Sequence, residues 1–130
     1  MNILDDPGKI KEIDKESMLE VEENFYLQLL EAKNIVQKTD LEKIKGKKFE
    51  GIAFLGMGGS GFAGDIIKAL IKDDINIPVE IVKGYRLPSF VKSGWLVVPV
   101  SYSGNTEETI SAASQALDRG CELLIVCSGG

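Results

Sequence analysis

Four short apolar runs, each closed by a turn signal, constrain this chain more than any other feature of its sequence. They are GIAFLG (51 to 56), PVEIVKG (78 to 84), WLVVPV (95 to 100) and CELLIVC (121 to 127). Helical stretches follow the first and third, FAGDIIKALIKD (62 to 73) and TEETISAASQALDRG (106 to 120), the latter stopped by Gly120. Strands that are apolar almost throughout and alternate with helices belong to a parallel sheet, because each crossover lays a helix over one of its faces. The expected fold is therefore α/β, a doubly wound parallel sheet of flavodoxin-like strand order 2-1-3-4-5. Pro99 falls inside the third run, and its missing N–H predicts a strand end or a bulge there.

The region before the first strand has a different composition. Residues 1 to 49 hold 11 acids and 9 lysines and no arginine, which marks an N-terminal helical segment ahead of a sheet domain over 50 to 130. Asp6-Pro7 predicts a helix start, and Ser17 with Glu20 predicts a capping box. From Met18 onward Val21, Phe25, Leu29, Ala32 and Val36 recur at steps of three and four, predicting one amphipathic helix packed on the core. At the other end, a fourth strand with no helix after it would leave apolar surface bare, so the expectation is a sheet domain truncated after its fourth strand.

Composition removes several classes of function. A formal charge of -5 opposes attraction to nucleic acid or to an anionic membrane surface. The apolar runs are far shorter than the roughly 20 residues that span a bilayer, and the start of the chain carries no apolar signal core, so the cytoplasm is the expected location. The sequence has no histidine, which excludes a Ser/His/Asp triad or a His-containing metal site built from these residues alone. Cys121 and Cys127 flank a strand and would stand about 20 Å apart at ~3.3 Å per residue, too far for a disulfide, so both read as small core or strand-end residues.

Two glycine-bearing loops carry the chemistry. GMGGSG (56 to 61) and SYSGNT (101 to 106) each follow a strand and open a helix, where backbone N–H groups and the helix dipole favour an anion. Gly58 and Gly59 permit close backbone approach, and Ser60, Ser101, Ser103 and Thr106 supply hydroxyls suited to phosphate oxygens. Either loop alone would serve as an ordinary strand-to-helix turn. Together, with strands one and three adjacent, both lie at the topological switch point where ligands bind in such sheets. Asn105 with Glu108 also fits a simple cap, and any phosphate requires Glu107 and Glu108 to point away.

Gly56, Gly58 and Gly61 also match the dinucleotide pattern G-x-G-x-x-G. That reading wants an acid at the carboxyl end of the second strand, whereas Glu80 stands near its beginning and the end offers Lys83 and Gly84. Phe62 excludes both the P-loop, which needs lysine there, and the esterase elbow, which needs glycine. Lys83, Tyr85 and Arg86 follow the second strand and either border the crevice or lie on the surface. Trp95 reads as core or interface, and Asp65 as a solvated helix residue.

GMGGSG followed by SYSGNTEET resembles the sugar isomerase (SIS) domain. With the opening LDDPGKIKEIDKESMLEVEENF and the interior segment GYRLPSFV, the chain is similar to the front part of the bifunctional phosphoglucose/phosphomannose isomerase family. The resemblance implies two such domains, a homodimer, no cofactor and no metal. It implies interconversion of glucose 6-phosphate or mannose 6-phosphate with fructose 6-phosphate through an enediol. Carried over by motif position, Gly59 and Ser60 would contact the sugar phosphate, and Ser101, Ser103 and Thr106 would grip its phosphate. The family's catalytic glutamate, histidine and lysine belong to later segments, so this chain would supply the phosphate-binding half of a site without its catalytic groups. A non-catalytic sugar-phosphate sensor is the alternative of a different class, disfavoured by the acidic balance of residues 1 to 49.

Overall fold

The computed structural model describes residues 5 to 130, so the first four residues of the expected helical segment lie outside the described residues. Two compact units divide the chain at residues 43 and 44.

The first unit contains α1 (Pro7–Ile13), α2 (Met18–Glu23) and α3 (Phe25–Lys38). Asp6 starts α1 as expected, its carboxylate accepting from the N–H groups of Gly8 and Lys9. The expected capping box at Ser17 does not form. Ser17 adopts φ 53 and makes no side-chain cap, while the two oxygens of Asp14 accept from Met18 and Leu19, each at 2.8 Å. The expected continuous helix is also interrupted. At Asn24 (φ -96, ψ 10) the chain leaves the helical path, and the Asn24 side-chain amide joins its backbone N–H in donating to the Glu20 carbonyl, at 2.9 and 3.1 Å. That break takes Val21 off the line of Phe25, Leu29 and Val36; all four are exposed, and neither helix buries a residue.

The second unit is the α/β layer structure. Its sheet runs β2 (Val79–Val82), β1 (Gly51–Leu55), β3 (Trp95–Ser101), β4 (Glu122–Leu123), all parallel, with β5 (Val126–Cys127) also beside β3. Side chains alternate between faces along β1. Phe54 and its neighbour Ile81 meet α4 (Gly58–Ile71), and Ala53, Leu55 and Val97 pack with Ala112 and Ala116 of α5 (Glu107–Asp118). The helices therefore cover opposite faces, as a doubly wound sheet requires. Trp95 is buried against the sheet start, its ring filling the space beside Gly51.

The expected fourth strand is found as two pieces in one register, Leu96 opposite Glu122 and Val100 opposite Val126. Pro99 accounts for the gap. Leu124 N–H donates to the Val97 carbonyl, so the next rung would come from the N–H of residue 99, which proline lacks. α4 begins four residues earlier than the apolar pattern suggests. Its glycines are weak helix formers in isolation, but a Cβ on Gly61 would stand 2.5 Å from the Gly56 carbonyl oxygen, and one on Gly64 2.8 Å from Phe54. Glycine here permits close helix-on-strand packing. At its far end α5 closes with Gly120 at φ 72, Cys121 N–H bonding Ala116 O and Gly120 N–H bonding Leu117 O, a complete Schellman motif.

Candidate functional site

Strands β1 and β3 are neighbours, and the helices that follow them start side by side at their carboxyl ends. The N-cap of α4 is Met57, which makes no side-chain cap, and the first turn holds no acid. The leading N–H groups of α4 therefore have no carboxylate or hydroxyl of their own to satisfy them, the condition in which a helix start attracts an external anion. Gly58 has φ 51, which turns the chain into the helix, and a Cβ at Gly59 would meet nothing within 4 Å.

At the end of β3, Ser101 is buried and its hydroxyl lies 2.9 Å from that of Thr106. Ser101 Oγ also accepts from Gly104 N–H at 3.1 Å. Thr106 is the N-cap of α5 yet makes no side-chain cap, because its hydroxyl is engaged by Ser101. The Ser103 hydroxyl accepts from Asn105 N–H at 3.3 Å. The Asn105–Glu108 cap considered from the sequence is absent.

Between these loops is an open crevice of about 640 Å³ lined by Met57, Gly59, Ser60, Val100, Ser101, Tyr102, Val126, Cys127 and Ser128. Of the six residues proposed from sequence, Gly59, Ser60 and Ser101 line it directly. Gly58, Ser103 and Thr106 sit in the same two loops without lining the crevice. Sequence reasoning missed the third wall, Val126 to Ser128. The signal was present: with β3 beside the last strand, the register that pairs Ser101 with Cys127 carries the following residues to the same end. The Ser128 hydroxyl donates to the Tyr102 carbonyl at 2.5 Å, fastening this wall to the serine loop.

No charged residue lines the crevice, and Lys83, Tyr85 and Arg86 are not among its lining residues. Lys83 Nζ lies 2.5 Å from Asp65 on α4, so the second strand ends on a paired cation rather than on the acid a dinucleotide site requires. Tyr85 sits beside the first turn of α5, where the charge of Glu108 foremost, then burial and the charge of Glu107, push its pKa up. Those two carboxylates thus face the tyrosine side of the helix. Burial pushes the Cys121 thiol pKa up, opposed by Arg119, whereas Cys127 is exposed in the crevice. Among the described residues, no cluster of acids and cysteines could hold a metal ion, and no helix is long and apolar enough to cross a membrane.

A parallel sheet with paired, glycine-bearing helix starts at its switch point defines a doubly wound α/β domain. The SIS domain family matches residues 47–130, and this chain belongs to it. The chain is 37% identical over 87 residues to a bifunctional phosphoglucose/phosphomannose isomerase of Caldicellulosiruptor bescii, covering 67% of this chain and 26% of that protein. It is 47% identical over 83 residues to the protein of the same description from Aquifex aeolicus, covering 63% and 26%. A crystal structure of a Bacillus subtilis protein provisionally assigned as a phosphosugar isomerase superposes with a TM-score of 0.58 at 25% identity, covering 67% of this chain and 28% of that one. The chain spans about a quarter of the length of the curated relatives it matches.

Proposed function

We propose that this chain is the phosphate-binding part of a phosphosugar isomerase that interconverts glucose 6-phosphate or mannose 6-phosphate with fructose 6-phosphate. The observation that carries the reading is the crevice where the uncapped start of α4 faces the Ser101–Thr106 hydroxyl pair. The N–H groups of Gly59 and Ser60 and the Ser60 hydroxyl offer donors on one side, and the Ser101 hydroxyl, with Ser103 and Thr106 in the same loop, supplies them on the other. Neutral donors hold a phosphate without a lysine or arginine in the lining. Glucose and fructose 6-phosphates share that group and differ at carbons 1 and 2, so the sugar would extend away from the two loops, toward catalytic groups supplied by other segments of a longer protein. The names of the relatives support the same substrate class, and the resemblance supports a homodimer as the working form.

Titration of the chain with fructose 6-phosphate, followed by NMR of backbone amides, tests this. The reading expects saturable shifts at Gly59, Ser60 and Gly104 and competition by glucose 6-phosphate. NADH binding that phosphosugars do not displace, or shifts confined to other regions, would overturn it.

A further inference from the structure

The start of α5 presents a problem for an anion site: its first turn carries Glu107 and Glu108, two negative charges beside the proposed phosphate locus. The structure also holds an answer. The Tyr85 carbonyl accepts from Gln115 Nε2 at 2.7 Å and from the Ser111 hydroxyl at 3.1 Å, and Leu87 N–H donates to Gln115 Oε1 at 3.2 Å. Further along, Arg119 donates to the carbonyls of Leu87, Pro88 and Val91. Residues 85 to 91 are thus strapped along α5. Ser111 stands four residues after Glu107 and Gln115 eight, so the strap follows the helix face that ends on Glu107, with Glu108 three residues before Ser111. Side chains on a helix lean toward its N-terminus, so Ser111 and Gln115 hold the strapped tyrosine near the level of the first turn, beside Glu107 and Glu108. The raised pKa of Tyr85 agrees with that placement.

We propose that Tyr85 is a positioning residue for the phosphate site: fixed by Ser111 and Gln115, it draws the Glu107 and Glu108 carboxylates to its own side of α5 and away from the bound phosphate. This rests on the phosphosugar reading. Tyr85 is half exposed, and its hydroxyl is the polar group on which the charges of Glu108 and Glu107 act. Without that hydroxyl the two glutamates sample the crevice side, where like charge repels phosphate and offsets the helix dipole.

The test is fructose 6-phosphate affinity of the whole chain for the wild type, Tyr85→Phe, and Tyr85→Phe with Glu107→Gln and Glu108→Gln, at low and high salt. The single variant is expected to bind about three- to tenfold more weakly at low salt, the triple variant to recover wild-type affinity, and the difference to shrink at high salt because exposed charges are screened. A merely structural defect would survive neutralisation of the glutamates. Unchanged affinity in Tyr85→Phe, or weakening that the triple variant does not recover, overturns the positioning role while wild-type binding leaves the site itself standing. Absence of fructose 6-phosphate binding by the wild type overturns both.

Discussion

The hydroxyls of Ser101 and Thr106 lie 2.9 Å apart and join the last residue of β3 to the N-cap of α5. Because Ser101 also takes the Gly104 N–H, one buried side chain sets both the turn and the start of the helix. Ser101→Ala should lower stability by about 1–3 kcal/mol, since it leaves buried or half-buried donors without a partner. Ser103 bonds only the neighbouring Asn105 N–H, at an exposed position. Ser103→Ala should leave stability nearly unchanged yet weaken fructose 6-phosphate binding by about 1–3 kcal/mol, the loss of one hydrogen bond to a charged group. Denaturant melts beside calorimetric titration separate the two effects. Wild-type affinity in Ser103→Ala would remove that residue from the site.

Gly104 allows the third wall of the crevice to close. It has φ 73, and a Cβ there would stand 1.8 Å from the Gly129 carbonyl oxygen, a backbone atom that cannot swing aside. Gly104→Ala should therefore destabilise by about 2–4 kcal/mol and displace residues 127 to 130 from the serine loop. Thermal unfolding with amide shifts at Ser128 checks it; a wild-type melting point would mean that the wall shifts freely.

Thr109 offers the opposite kind of test. It is a buried residue of α5 and its hydroxyl has no hydrogen-bond partner. Thr109→Val keeps the shape and removes the orphaned polar group, so stability should rise by about 1 kcal/mol. A clear loss of stability on urea denaturation would show that the hydroxyl finds a partner in solution.

Much of this architecture was legible in the order of residues. Four apolar runs, the first and third followed by helices, predicted the strand neighbours, and the two loops fell together because topology leaves them no other place. What escaped were features decided by single contacts. Pro99 announced an irregularity, but its effect falls on the adjacent strand, at the rung Leu124 would have received. Gly58 and Gly59 were both expected at the ligand, but Gly59 alone lines the crevice, whereas Gly56 and Gly61 mainly permit α4 to touch β1. In the N-terminal unit, periodicity indicated one helix because it does not register the break at Asn24, whose side chain and backbone N–H both bond the Glu20 carbonyl. Asp14 took the capping role expected of Ser17 for a similar reason: a carboxylate with two acceptors satisfies two N–H groups where a hydroxyl satisfies one.

The two cysteines should differ sharply in reactivity, and the difference reports on the crevice. Cys127 is exposed beside Ser101, whereas Cys121 is buried and burial raises its thiol pKa. At mildly alkaline pH a thiol-alkylating reagent should modify Cys127 and leave Cys121 untouched until the chain unfolds. The raised pKa also fixes the sign of a stability effect. The folded state favours the neutral thiol, so its contribution is full below the unfolded-state pKa, near 9, and falls as pH rises through the folded value. Cys121→Ala should flatten that alkaline decline in denaturant midpoint. Fructose 6-phosphate at saturating concentration should slow alkylation of Cys127 severalfold by occupying the space in front of it, read by mass spectrometry of the modified peptide. Equal labelling rates with and without the phosphosugar would place the ligand away from this wall.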